Sequence, residues 1–145
     1  MSVYVAMGCR MIGIDSNILV RFLTRDDDIQ YKAAVRLLEL APDRGLFLSL
    51  IVLVEVNWVL RRAYKRPRSE VLNTLDDLMD ARQFAIEERT RVIRAISIAR
   101  STRADFSDAL IALGNEAQGC QHTATFDVDA FDIPQMVSVE EARTS

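Results

Sequence analysis

Short apolar runs in this chain alternate with longer segments in which apolar residues recur every three or four positions. The short runs predict buried strands, and the longer periodic segments predict amphipathic helices. The predicted strands are Met11–Ile14, Leu46–Leu48, Gln83–Ile86, Cys120–Phe126 and Val137–Val139. The predicted helices are Ser16–Leu23, Tyr31–Leu40, Leu50–Ala63, Glu70–Met79, Arg89–Arg100 and Asp105–Gln118.

This alternation indicates an α/β fold of three layers, α/β/α, with a mainly parallel central sheet. Glycines and prolines are few and scattered, and no internal repeat or linker-like stretch occurs, which predicts a single domain. In such sheets the ligand crevice lies beyond the carboxyl ends of the strands. Polar residues that directly follow a predicted strand are therefore the first candidates for chemistry.

Composition narrows the class of protein. Half of the 145 residues are hydrophobic and 27% are charged, which is typical of a folded globular chain. The formal net charge of −3 argues weakly against a general polyanion binder. No apolar run reaches membrane-spanning length without a charge, and the N-terminus is a poor signal peptide, so we expect a cytoplasmic protein without a membrane partner. Two distant cysteines and one histidine predict neither a zinc site nor a structural disulfide.

Three acidic residues stand out against apolar surroundings. Asp15 ends the first predicted strand and Asp127 ends the predicted strand Cys120–Phe126, so both face one crevice if those strands are neighbours. Glu55 lies in a nearly all-apolar helix. It is either exposed on an amphipathic helix or directed into a polar site, and the scarcity of polar residues around it favours the polar site.

Asp105 and Asp108 offer two further carboxylates at the start of one predicted helix. Asp105 is well placed to cap that helix, and Asp108 three residues later resembles the second member of a capping box. Capping explains one of the two residues, most naturally Asp105. Asp108 lies one turn inside the helix and can face the crevice.

Carboxylates that are brought together repel one another unless some are protonated or a cation neutralises them. All the candidate ligands are hard oxygens, which selects Mg²⁺ or Mn²⁺ over zinc or copper and suits phosphate chemistry. Three short polar neighbours, Ser16, Asn17 and Thr125, can orient the carboxylates. Helix capping explains Ser16 and Asn17 equally well, and an ordinary strand preference explains Thr125.

Four segments, "IGIDSNILVRFLTRDD", "LSLIVLVEVNWVL", "ADFSDALIA" and "TATFDVDAF", together resemble the PIN domain. Within that family they resemble the VapC-type ribonuclease toxins of bacterial toxin–antitoxin pairs. The resemblance runs from Met11 to about Val139. It implies four catalytic and metal-binding acids at Asp15, Glu55, Asp108 and Asp127, with Asp105 as a less central position.

The resemblance also implies an activity and partners. The expected protein is a Mg²⁺- or Mn²⁺-dependent endoribonuclease, a homodimer inhibited by a small antitoxin protein. Its expected substrate is structured RNA, with transfer RNA as the first choice. Family members of this type begin near Met11, so residues 1–10 are either an extension or a misassigned start, and the domain is expected over residues 11–145.

The densest basic run, "RRAYKRPR", follows the helix that carries Glu55. Its candidate RNA contacts are Arg61, Arg62, Lys65, Arg66 and Arg68. A solvated helix end, where cations are favoured, explains the run equally well. The scattered arginines from Arg89 to Arg103 are expected to mark a solvent face.

Two other functions are compatible with an α/β fold that carries acids at strand ends. A non-catalytic RNA- or protein-binding module of the same fold would be expected to lack a central acid, and none is missing. A receiver-like phosphoacceptor domain expects adjacent acids after the first strand and a lysine after the last. Here Ser16 and Asn17 follow Asp15, and no lysine occurs beyond Arg66.

Overall fold

The computed structural model describes residues 11–145, so the prediction about residues 1–10 lies outside the described part of the chain. The chain forms two compact units, the first ending at Glu87 and the second covering Glu88–Ser145. The expectation of a single domain over residues 11–145 stays a prediction.

The first unit is a three-stranded parallel sheet with four helices. Its elements in chain order are β1 (Ile12–Gly13), α1 (Ser16–Thr24), α2 (Asp28–Leu40), β2 (Leu46–Leu48), α3 (Leu50–Arg62), α4 (Arg68–Asp80) and β3 (Phe84–Ile86). The sheet order is β1-β2-β3. Ile12 pairs with Leu46, and Leu46 pairs with Phe84.

Side-chain caps fix where three of these helices begin. Asp15, Asp27 and Ser49 each accept a hydrogen bond from the backbone N–H three residues further on, at the starts of α1, α2 and α3. Helix α4 starts at Arg68 rather than at the predicted Glu70, directly after Pro67, which makes no side-chain capping bond. The ring of Pro67 fixes φ near a helical value.

The core of the first unit lies between the sheet and the inward faces of the helices. Its fully buried side chains are Leu19, Leu46, Leu48, Leu53, Val56, Leu60, Val71 and Leu75. On α3 the buried positions Leu53, Val56 and Leu60 follow helical spacing, as the sequence pattern predicts.

The second unit contains a two-stranded parallel sheet and three α-helices. Its elements are α5 (Arg89–Ser101), α6 (Phe106–Ala117), β4 (Thr123–Ala124), a 3₁₀ helix (Val128–Asp132), β5 (Met136–Val137) and α7 (Val139–Arg143). Helix α5 packs along α6 and buries Val92, Ala95, Ile96 and Ala99. In the sheet, Thr123 pairs with Met136.

The last third of the chain departs most from the sequence prediction. The predicted strand Cys120–Phe126 is only two residues long, because the chain turns into the 3₁₀ helix directly after Phe126. The described ladders join β1 to β2 and β4 to β5, so the strands that precede Asp15 and Asp127 each have another partner. The predicted class is nevertheless confirmed, since helices alternate with strands and every described strand pair is parallel. Among residues 11–145, no helix is long and apolar enough to cross a membrane.

Candidate active site

Asp15 lies at the junction between β1 and α1, with its side chain exposed. Its Oδ1 accepts a hydrogen bond of 3.0 Å from the backbone N–H of Ile18. Asp15 is therefore the N-cap of α1, and this explains why the apolar run ends there. A carboxylate has two oxygens, so capping through Oδ1 leaves Oδ2 for another ligand.

Glu55 is exposed and is held by α1. The Ser16 hydroxyl donates a 2.7 Å hydrogen bond to Glu55 Oε2. Ser16 therefore does not cap α1 but orients the carboxylate of α3, while Asn17 is exposed one residue later. The residues one turn before and after Glu55 on the same face of α3 are also exposed, Ile51 by 71% and Trp58 by 44%. Glu55 thus belongs to an exposed face that is otherwise largely apolar.

A cavity of about 370 Å³ lies beside Asp15 in the first unit. Asp15, Asn17, Ile18 and Arg21 line it from the side of α1, and residues of α2 complete it: Gln30, Ala33, Ala34 and Leu37. Arg21 donates from Nε to Gln30 Oε1 at 2.7 Å and from Nη1 to Asp26 Oδ1 at 3.1 Å. The cavity therefore combines an apolar wall with a fixed carboxylate and a fixed guanidinium.

The second unit carries Asp105 and Asp108 at the start of α6. Asp105 is the N-cap, and its Oδ2 accepts from the backbone N–H of Ser107 at 3.1 Å. The capping role predicted for Asp105 is confirmed. Asp108 lies within the first turn of α6, partly buried beside the core residues Phe106 and Ala109.

Asp127 is fixed at the start of the 3₁₀ helix by backbone hydrogen bonds on both sides. Its own N–H donates to Thr125 Oγ1 at 3.0 Å, and its Oδ1 accepts from the N–H of Asp129 at 3.0 Å. Thr125 therefore fixes the turn that carries Asp127. Thr125 follows the last residue of β4, and its backbone N–H still donates to the Val137 carbonyl at 3.0 Å, so strand preference also remains an explanation for it.

Asp108 and Asp127 form a carboxylate pair. Burial, a hydrogen bond with Asp127, and the charges of Asp127 and Asp105 raise the pKa of Asp108 from its usual value to about 6. The charged form is disfavoured because Asp108 loses hydration and faces two like charges. The pair either shares a proton or requires a cation.

A divalent cation fits this pair by the chemistry of its donors. Every donor is a carboxylate oxygen, and Mg²⁺ commonly binds through one or two carboxylates while it keeps several waters. Within residues 11–145, no three His, Cys, Asp or Glu side chains are arranged to hold a metal ion. The arrangement therefore suits a hydrated ion rather than one enclosed by protein ligands.

The basic run after α3 is partly engaged in holding its own unit together. Arg66 donates from Nη2 to the Leu23 carbonyl at 3.3 Å, and the Tyr64 hydroxyl donates to Asp26. The guanidinium of Arg62 lies 5.8 Å from the centre of the Trp58 ring. Arg62 and Lys65 are exposed, whereas Arg61 and Arg68 are half-buried, so only part of the run is presented to solvent.

Arg103 is exposed, as predicted, but sequence reasoning missed its contact with Asp132. Its guanidinium binds both carboxylate oxygens of Asp132, with Nη2 2.8 Å from Oδ1 and Nε 3.1 Å from Oδ2. The only hint in the sequence is that both partners lie near candidate site residues: Arg103 two residues before Asp105, and Asp132 five residues after Asp127. No local pattern, however, indicates that residues 29 positions apart will pair.

The raised pKa of Asp108 predicts how stability depends on pH. The folded protein keeps the Asp108 proton to about pH 6, whereas the unfolded chain loses it near pH 4. Metal-free protein should therefore lose stability as the pH rises from 4 to 6 and regain none of it above that range. Asp108→Asn resembles the protonated form, so the loss should shrink. Denaturant unfolding in EDTA between pH 4.5 and 7.5 measures this effect.

The control for that experiment is Asp80→Asn, which removes one charge from an exposed residue of the first unit. It should follow the wild-type pH dependence. A pH dependence in Asp108→Asn equal to that of the wild type would show that the Asp108 carboxyl is not responsible.

The capping bond of Asp105 generates a second prediction. Asp105→Ala should lower the free energy of unfolding by about 1 kcal/mol, and Asp105→Ser should recover much of that loss because Ser also caps helices. Thermal or urea unfolding measures both. If Asp105→Ser is stable yet as inactive as Asp108→Asn, then Asp105 is a metal ligand as well as a cap.

Comparison with known proteins gives one match. The profile of the PIN domain matches residues 12–135, a span that contains all the acidic residues described above. No curated protein and no solved structure matches the chain significantly. PIN domains are generally nucleases with a three-layer α/β/α fold, and they typically use divalent metal ions. Because the match covers most of the sequence, this chain belongs to the PIN domain family.

Proposed function

We propose that this PIN domain is a Mg²⁺- or Mn²⁺-dependent endoribonuclease of the VapC type. Its proposed substrate is structured RNA, with transfer RNA as the first choice. The observation that carries the proposal is the Asp108–Asp127 carboxylate pair, in which the pKa of Asp108 is raised to about 6. Two carboxylates this close repel each other, and a bound cation would neutralise their charge. The donors are all oxygens, which suits an ion used in phosphate chemistry.

The proposal assigns catalytic and metal-binding roles to four acids. Asp15 and Glu55 supply carboxylates in the first unit, and Asp108 and Asp127 supply them in the second, as the sequence resemblance implies. Ser16 orients Glu55 by its hydroxyl bond, and Thr125 fixes the backbone of Asp127. Asp105 acts first as a helix cap and only secondarily as a ligand.

The ion supplies Lewis acidity for the ionisation of a water and neutralises charge that develops on the phosphodiester. The protein's own residues then have two tasks. The carboxylates must be oriented before substrate binds, which the bonds to Ser16, Thr125 and the N–H of Asp129 accomplish. Basic side chains must attract the RNA backbone, and the exposed Arg62 and Lys65 are the best placed of the candidate contacts.

The toxin role adds partners to the nuclease. We infer a cytoplasmic homodimer that is inhibited by a small antitoxin protein. Two surfaces of the first unit support contact with protein: the exposed apolar residues Ile51 and Trp58 on α3, and the cavity between α1 and α2. Apolar side chains exposed beside one another often mark a protein interface.

Cleavage of RNA by the purified protein tests the nuclease. Transfer RNA should be cut in Mg²⁺ or Mn²⁺, and cutting should stop in EDTA. Asp15→Asn, Glu55→Gln, Asp108→Asn and Asp127→Asn should each lower the rate by roughly 100-fold or more, the scale on which one positioned catalytic group contributes. The control Asp80→Asn, purified in parallel, should cut at the wild-type rate.

The chemistry of the product ends tests the mechanism separately. Hydrolysis by an activated water leaves a 5′-phosphate and a 3′-hydroxyl, which sequencing of the RNA ends detects. Ends that carry a 2′,3′-cyclic phosphate would mean that the 2′-hydroxyl of the RNA attacked, and the proposed mechanism would be wrong. Absence of cleavage with every structured RNA in either metal would favour a non-catalytic binding module instead.

Expression in a bacterial host tests the toxin role. Wild-type protein should arrest growth soon after induction, because loss of an essential RNA stops translation, whereas Asp108→Asn at equal abundance should not. Growth curves and sequencing of RNA ends after brief induction measure this. If the purified enzyme cleaves RNA but its expression leaves growth unchanged, the nuclease stands and the toxin role is rejected.

A further inference from the structure

Two separate segments of the second unit carry the acidic residues Asp105, Asp108 and Asp127. The start of α6 carries the first two, and the turn into the 3₁₀ helix carries Asp127. Asp108 and Asp127 lie on different segments, so their separation depends on how the 3₁₀ helix is held against the start of α6.

Arg103 provides a contact between these two segments. It lies two residues before Asp105, and its side chain binds the carboxylate of Asp132 at the end of the 3₁₀ helix in a two-pronged arrangement. Its backbone N–H adds a third bond to Asp132 Oδ2 at 2.8 Å. Nη1 also lies 3.7 Å from Asp129 Oδ1. The bonds thus join the segment before α6 to the segment that begins at Asp127.

The contact between Arg103 and Asp132 matters more for the geometry it fixes than for the stability it adds. The two side chains are 65% and 27% exposed, so the ion pair by itself stabilises the fold little. A planar guanidinium with two parallel bonds nevertheless fixes both distance and angle, which a point charge does not. The charge-assisted bonds from Arg103 lower the pKa of Asp132 to about 2, so the pair remains ionised across the pH range of interest.

The 3₁₀ helix is also anchored independently of Arg103. Ala130 is fully buried, Ile133 is nearly so, and β5 follows directly in the sheet. Replacement of Arg103 should therefore leave the unit folded while the helix gains freedom to shift. The Arg103–Asp132 contact therefore sets the position of the 3₁₀ helix and is not needed for the unit to fold.

We propose that Arg103 is a positioning residue: by holding Asp132 it sets the place of Asp127 relative to Asp108, so that the two carboxylates bind a divalent cation together. The inference rests on the proposed metal-dependent nuclease. The side chain of Arg103 binds Asp132 and approaches Asp129, both in the 3₁₀ helix. It acts through the 3₁₀ helix that joins Asp127 to Asp132.

Whether loss of Arg103 weakens or tightens metal binding distinguishes a positioning role from a purely electrostatic effect. Removal of a nearby positive charge should by itself tighten the binding of a cation. Positioning predicts the reverse for Arg103→Met: an Mn²⁺ dissociation constant about tenfold higher, the lower end of the range for residues that orient metal ligands. Arg103→Lys keeps the charge but loses the two-pronged geometry, so its dissociation constant should lie between those of Arg103→Met and the wild type.

Calorimetric titration of the full-length protein with Mn²⁺ alone, well below the melting temperature of each variant, measures these constants. Asp132→Asn should weaken binding as Arg103→Met does, and the double variant should be no worse than either single one, because both remove the same contact. The matched control is Arg143→Met, which breaks the Arg143–Glu140 pair of 3.2 Å elsewhere in this unit and should leave Mn²⁺ binding unchanged.

The outcomes distinguish this inference from the proposed function. If wild-type protein binds no Mn²⁺ and cleaves no RNA, the proposed function fails. If the wild type binds Mn²⁺ and Arg103→Met binds it equally or more tightly, only the positioning role of Arg103 is rejected. Activity offers a second readout: the Mn²⁺ concentration for half-maximal rate should rise in Arg103→Met, while KM for RNA at saturating Mn²⁺ should not.

Discussion

Mutual repulsion of carboxylates is the constraint on which the acidic segments of this protein depend. Asp15, Asp105 and Asp127 all lie at the start of a helix, where each accepts a hydrogen bond from a backbone N–H. The positive end of the helix dipole stabilises negative charge at that place. In each unit, a position at a helix start thus offsets part of the cost of a negative charge. Asp108 also lies in the first turn of α6, but it is partly buried and close to Asp127, and these surroundings raise its pKa to about 6.

Local signals made much of the fold predictable. Helices α1 and α3 begin at their predicted first residues, Ser16 and Leu50, because a cap acts over only three residues. Strand β2 lies at its predicted bounds. The stretch Cys120–Phe126 was overestimated because its β-favouring residues continue past the point where Thr125 and Asp127 fold the backbone into a turn. A short hydrogen-bonded turn overrides strand preference, and periodicity does not reveal it.

The candidate site was predictable in its residue types and only partly in its contacts. The carboxylates could be found because an acid in an apolar context is unusual, and Asp105 could be assigned as a cap from its spacing. The bond from Ser16 to Glu55 joins residues 39 positions apart, and no local pattern encodes it. The contact of Arg103 with Asp132 was missed for the same reason, although Arg103 is exposed as predicted.

The capping bonds of Asp15, Asp105 and Asp127 occupy one oxygen of each carboxylate. Asparagine has the same shape and presents an oxygen in the same place, so it can start the same helix without offering an anionic ligand. At each of these three positions, evolution can therefore remove the anionic ligand and keep the helix cap. A single Asp-to-Asn change at one of them would remove an anionic ligand and still leave a capped, folded domain.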